Sequence, residues 1–201
     1  MASLSSGPRH GATPDRQTVM RVFIAVELPE TIRRKLGDVE RELRPSASSA
    51  RWVASDSIHL TLKFIGEITE ARLHEVDDGL AGLTWRPFPV VVRGVGFFPG
   101  ARSPRVLWAG LTASTMENLA QEIDARMERF GYEKEKRAFR AHITLARAKN
   151  NRLDSSLVQA ARKFEDAEFG SFTVDRCSLF QSTLKPSGAV YTKLKEYVLD
   201  K

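Results

Sequence analysis

Two tetrapeptides, His59-Leu60-Thr61-Leu62 and His142-Ile143-Thr144-Leu145, restrict what this chain can fold into more than any other feature of it. In each, polar and aliphatic residues alternate, and in a β-strand successive side chains point to opposite faces. His59, Thr61 and Lys63 are therefore placed on one face, with Leu60, Leu62 and Phe64 on the other. The same pattern sets His142 and Thr144 against Ile143 and Leu145. Such a strand buries its aliphatic side in a core and presents an imidazole and a hydroxyl together on the opposite side. The two histidines stand 83 residues apart, which suits one motif in each half of a 201-residue chain. With the two strands side by side across a cleft, the four polar groups converge.

The flanking sequence supplies the rest of an α+β pattern. Residues 1–19 read as a disordered tail, in which Ser, Gly and Pro alternate with isolated charges and no apolar period. Residues 20–201 read as a single bilobal domain, since 201 residues suffice for one substantial core but are short for two independent ones. A strand is predicted over Arg21–Leu28, then a helix from Pro29 in which Ile32, Leu36, Val39 and Leu43 recur at helical spacing until Pro45. A linker through Arg51-Trp52-Val53 leads to the first motif strand, Ile58–Ile65. A helix over Thr69–Leu83 precedes a β-rich pair, Phe88–Phe98 and Arg105–Leu111. A helix from Ser114 to about Phe130, a basic loop and the second motif strand, Ala141–Arg147, follow in turn. Leu153–Phe164 reads as helical, and Glu168–Phe180 and Val190–Val198 read as extended. The architecture predicted is helices packed on largely antiparallel sheets in two similar halves. Only the motifs repeat visibly: HLTLKF aligns with HITLAR, and their flanks diverge.

Composition removes several classes of function. No run approaches the roughly 18 consecutive apolar residues that span a bilayer, and the first twenty residues lack the apolar core of a secretory signal. A cytoplasmic protein with no membrane partner is expected. The single cysteine, Cys177, excludes an intrachain disulfide and a cysteine-built zinc site, and reads as a buried structural thiol in the strand-like stretch Thr173–Phe180. A formal charge of +6 and a pI near 9.7 favour an anionic partner. From Arg126 to Lys149 eight Arg or Lys stand against three Glu, so the positive field is concentrated beside and through the second motif.

Two histidines and two threonines are the parts that hydrolysis of a 2′,3′-cyclic phosphate needs: a base for water, an acid for the departing ribose oxygen, and donors for the phosphoryl oxygens. An unperturbed imidazole pKa near 6.5 lets one histidine be neutral and the other protonated around neutrality. Threonine hydroxyls can donate to non-bridging oxygens, and a nearby cation offsets developing charge. The scheme calls for no metal and no cofactor. His10, in the tail, and His74, in a helical stretch, carry no such context. No nucleophile-elbow pattern accompanies either motif histidine.

On these residues the chain resembles the 2H phosphoesterases, and among them the RNA 2′,3′-cyclic phosphodiesterases, also called 2′-5′ RNA ligases. The resemblance covers nearly everything after the tail: Arg21-Val22-Phe23-Ile24-Ala25, Arg51-Trp52-Val53, His59 to Gly66, Pro104 to Trp108 and Phe139 to Arg147. Ala141 stands where the family commonly has proline. The resemblance implies two related α+β lobes flanking a cleft. It implies His59 as proton donor to the leaving oxygen, His142 as proton acceptor, and Thr61 and Thr144 as phosphate ligands. The implied reaction is hydrolysis of cyclic phosphate ends of RNA to 2′-phosphomonoesters, with reversible 2′-5′ ligation; a monomer is expected. It also implies Arg147 as a phosphate ligand, although strict alternation puts Arg147 opposite His142 unless a bulge follows Leu145. Lys63 has the parity of His59 and is carried as a further phosphate ligand. Phe23 matches a position expected to stack a base. The residues leave two alternatives open: a 2′-5′ oligonucleotide or small cyclic-nucleotide phosphodiesterase, and a non-catalytic module that binds RNA ends.

Overall fold

The computed structural model describes residues 19–112, 114–185 and 188–199. The tail expected over residues 1–19 lies outside these residues except for Val19, which opens strand β1 (Val19–Glu27). Pro29 leads into helix α1 (Glu30–Leu43), and the four residues read at helical spacing, Ile32, Leu36, Val39 and Leu43, are all buried. The linker holds a strand too short for a pattern to reveal, β2 (Ala50–Trp52). Strand β3 (His59–Thr69) carries the first motif. The helix expected over Thr69–Leu83 divides into a 3₁₀ turn, Glu70–Arg72, and α2 (Leu73–Ala81). Strands β4 (Phe88–Phe98) and β5 (Val106–Thr112), helix α3 (Ser114–Arg129) and motif strand β6 (His142–Ala148) follow as predicted. After α4 (Ser155–Ala161), the run read as one extended stretch is two strands, β7 (Glu168–Val174) and β8 (Arg176–Lys185), parted at Asp175. Strand β9 (Gly188–Val198) closes the described chain.

All strand pairs are antiparallel, in the order β7-β4-β5-β6-β3-β1-β8-β9, with β2 added to β6. The two motif strands meet at the centre through a single residue pair, Leu60↔Ile143. Outward from that pair the sheet runs β3-β1-β8-β9 on one side and β6-β5-β4-β7 on the other, so the two halves repeat each other about it. The two sheets expected from the sequence are thus one sheet, narrowed at its middle to one pair. The helices cross over between halves: α1, from the first half of the chain, packs on β7 and α4, whereas α3 packs on β3 and α2. Tyr132, just beyond α3, donates its hydroxyl to Glu75 of α2 at 3.1 Å. Aliphatic side chains of the motif strands, Leu60, Ile143 and Leu145, are fully buried in the main core between sheet and helices. Burial of each such side chain stabilises the fold by roughly 1.5–3 kcal/mol. Cys177 on β8 belongs to that core, and burial pushes its thiol pKa up to about 12, which makes it structural.

Alternation breaks just after the threonine of each motif, and in β3 a second time at Ile65. In β3 the partners run Ile24↔Lys63 and then Ala25↔Thr61, so Leu62 is an extra residue. In β6 they run Leu107↔Ala146 and then Trp108↔Thr144, so Leu145 is extra. A bulge of this kind reverses the parity of everything after it. Lys63 consequently leaves the His59–Thr61 face and turns to the helix side, where it ion-pairs with Asp124 of α3 and donates to the Glu133 carbonyl at 2.8 Å. The expectation that Lys63 binds phosphate is corrected: its side chain is 4% exposed and committed to α3 and the loop that follows. Asp124 also accepts from the Glu135 backbone N–H at 3.2 Å, so the pair ties β3 to the loop that delivers His142.

Truncating one partner of a buried ion pair leaves the other charge uncompensated, at a cost of about 3–5 kcal/mol. Lys63→Ala is therefore expected to lower unfolding free energy by that amount in urea denaturation. A loss below about 1 kcal/mol would show that the pair does not tether the loop.

Candidate active site

The register at Leu60↔Ile143 fixes how the motifs face each other. In an antiparallel pair, residues flanking a matched pair lie opposite in reversed order, so His59 stands across from Thr144 and Thr61 across from His142. The four side chains share the face away from the main core, and all are half-buried. Each imidazole is held in the same way, from two residues upstream. Nδ1 of His59 donates to the Ser57 carbonyl at 2.8 Å, and Nδ1 of His142 donates to the Arg140 carbonyl at 2.7 Å. A carbonyl can only accept, so each ring carries its neutral-state proton on Nδ1 and keeps Nε2 for chemistry.

Aromatic rings pack both imidazoles. Tyr191 stands edge-on to His59 at 4.9 Å, and Phe98 stands edge-on to His142 at 4.9 Å. Phe23 lies 4.8 Å from the His59 ring. It belongs to a small apolar cluster with Ala25, Phe180 and Tyr191, separate from the main core and on the motif side of the sheet. The expectation that Phe23 stacks a base is corrected: it is 1% exposed, covered by Phe64, Phe180, Tyr191 and His59. The bulge at Leu62 brings Phe64 to this face instead, 63% exposed and 5.9 Å from Phe23. An exposed ring in that position can stack a base. In the other half Trp108 lies over Gly96, where a Cβ would come within 2.3 Å of the indole. Phe180, Tyr191 and Phe98 come from strands remote in sequence, and no local pattern marks them.

The second bulge settles the parity of Arg147. With Leu145 extra, Leu145 and Ala146 are both in the main core, and Arg147 is exposed on the face of His142 and Thr144. Arg147 and Phe64 occupy corresponding places, three residues beyond Thr144 and Thr61. Of the eight basic residues from Arg126 to Lys149, Arg126, Lys134 and Lys136 are ion-paired with glutamates, which offsets part of the segment's charge. Both imidazole pKa values are lowered from 6.5. Burial is the larger cause in each, opposed by the carbonyl bond; the Arg147 charge lowers both further, and His142 also lowers His59. Among the described residues no group of three or more His, Cys, Asp or Glu side chains is gathered so as to hold a metal ion.

This arrangement can deliver one proton and accept another at two Nε2 atoms on the same face, beside two hydroxyls and a guanidinium. Known proteins resemble the chain over most of its length. A family model described as LigT like Phosphoesterase matches residues 26–108 and 111–191. The RNA 2′,3′-cyclic phosphodiesterase of Archaeoglobus fulgidus is 33% identical over 179 residues, covering 89% of this chain and 99% of that protein. The protein of the same name from Thermus thermophilus is 35% identical over 192 residues, covering 90% of each. Among solved structures, TT0787 of Thermus thermophilus superposes with a TM-score of 0.77 at 32% identity, covering 90% of this chain and 98% of that one. E. coli LigT complexed with 3′-AMP superposes with a TM-score of 0.74 at 25% identity, covering 92% of this chain and all of that one, 100%.

Removing the guanidinium in Arg147→Ala relieves repulsion of both imidazolium forms. The titration midpoints of His59 and His142, followed by NMR of the ring protons, are expected to move to higher pH together. Midpoints that stay in place or fall would contradict the placement of Arg147 on the face of both imidazoles.

Proposed function

The chain belongs to the LigT-like phosphoesterases of the 2H superfamily, and from that premise and the geometry of the cleft we propose that it hydrolyses 2′,3′-cyclic phosphate ends of RNA to 2′-phosphomonoesters without a metal. The observation that carries the reading is the pair of carbonyl-held imidazoles on one face, each with Nε2 turned to chemistry. Its curated relatives are RNA 2′,3′-cyclic phosphodiesterases in archaea and bacteria alike.

His142 takes a proton from water through Nε2 as the water oxygen bonds to phosphorus. The bond from phosphorus to the ribose 3′ oxygen breaks, and His59 gives its Nε2 proton to that oxygen. Thr61, Thr144 and Arg147 hold the non-bridging oxygens, where negative charge grows in the transition state. One turnover leaves His59 neutral and His142 protonated, and exchange with solvent restores them. A 5′-hydroxyl of a second RNA in the place of water yields a 2′-5′ linkage by the same two transfers, and the reverse reaction cleaves it. In the free protein both imidazoles have depressed pKa values. A bound phosphate anion offsets that depression, because an opposite charge nearby stabilises imidazolium.

Each proton transfer is worth about 10²- to 10⁴-fold. With an RNA oligonucleotide ending in a 2′,3′-cyclic phosphate, full turnover is expected in EDTA and the product is expected to carry its phosphate on the 2′ oxygen. His59→Ala and His142→Ala are each expected to lower kcat by about 10²-fold or more. Activity lost to EDTA, a 3′-phosphate product, or unimpaired variants would refute the scheme.

A further inference from the structure

Strand β2 places a second arginine beside the first. Arg51 is the direct cross-strand partner of Arg147, flanked by the pairs Ala50↔Ala148 and Trp52↔Ala146. Ala50 belongs to the main core and Trp52 packs against it, so Arg51 points to the opposite face, the one that carries Arg147, His142 and Thr144. Arg44 of the residues following α1 lies over the Trp52 ring at 5.6 Å, in keeping with a Trp52 that faces the helices. Arg51 is exposed. Like charges directly opposite on antiparallel strands repel each other. Among the described residues neither Arg51 nor Arg147 has a carboxylate within ion-pairing distance to offset that repulsion.

The pair also has a direction. β2 bonds to β6 on one edge, and among the described residues its other edge has no strand partner, so Arg51 stands on the rim of the face. Arg147 stands on the motif strand itself and its charge bears on both imidazoles, whereas Arg51 stands one strand away from it. From the histidines outward the order is therefore Thr144, Arg147, Arg51, with about 4.8 Å between neighbouring strands. A substrate with one phosphate is served by the inner part of this row. One that continues past the cyclic end carries a second negative charge outward, toward the rim.

We infer that Arg51 binds the phosphodiester on the 5′ side of the terminal nucleotide and so makes the protein prefer oligonucleotides to cyclic mononucleotides. The inference rests on the cyclic-phosphodiesterase reading given above. Guanidinium suits the task because it stays charged and offers two parallel N–H donors to a phosphate. Its anchor, a short strand stapled to the motif strand, keeps the second phosphate site in fixed register with the first.

The test compares kcat/KM on a nucleoside 2′,3′-cyclic phosphate with kcat/KM on a dinucleotide ending in the same group. Wild-type protein is expected to favour the dinucleotide, and Arg51→Ala to lower the dinucleotide-to-mononucleotide ratio by about tenfold or more. Arg51→Lys, which keeps the charge without the paired donors, is expected to recover part of the ratio. A ratio unchanged in Arg51→Ala, or equal loss on both substrates, overturns the inference. Thermal melting of each variant separates these outcomes from misfolding. Calorimetric binding of a dinucleotide bearing a terminal 2′-phosphate, against the mononucleoside 2′-phosphate, reads the same ratio without turnover. If wild-type protein turns over neither cyclic substrate, the hydrolytic reading fails, and Arg51 is still judged by whether its removal abolishes the binding preference.

Discussion

The single pair Leu60↔Ile143 is the contact on which the rest of the structure depends. Both residues are fully buried, so the core under the motif strands sets their register, and the register sets which polar groups meet on the other side. A slip of one residue would turn every motif side chain to the wrong face. The crossing of the helices strengthens this constraint, since α1 covers the half of the sheet that holds β7 and α3 covers the half that holds β3. Neither half has a complete core without a helix from the other part of the chain.

The bulges at Leu62 and Leu145 give the site its asymmetry within a repeated plan. Both strands present His, Thr and, one bulge later, a third residue to the same face. In β3 that residue is Phe64 and in β6 it is Arg147, an apolar plate on one side and a cation on the other. The imidazoles are held alike by carbonyls two residues upstream, and burial and the Arg147 charge lower both pKa values; His59 alone is lowered further, by His142.

Much of this is legible in the sequence. Helical spacing locates α1 to within a residue or two, and alternation locates both motif strands and places His59, Thr61, His142 and Thr144 on one face. Alternation fails where backbone pairing, not composition, decides: a bulge leaves no mark in a run of aliphatic and polar residues. That is why alternation puts Lys63 on the wrong face and why only resemblance puts Arg147 on the right one. Strand β2 has three residues, too few for a period, and its importance comes from what it pairs with. Phe23 lies on the expected strand and face, but its cover comes from Phe180 and Tyr191, contacts across a large sequence separation that no local pattern encodes.

The central claim is that His142 acts as base and His59 as acid, and the pH dependence of kcat/KM in the two alanine variants tests it most directly. Wild-type protein is expected to give a bell, because His142 must be neutral and His59 protonated at the same time. Residual activity of His59→Ala is expected to keep the acid-side limb and lose the alkaline one, and that of His142→Ala to do the reverse. Exchange of the two limbs between the variants would reverse the roles, and a full bell in both would remove the histidines from the chemistry.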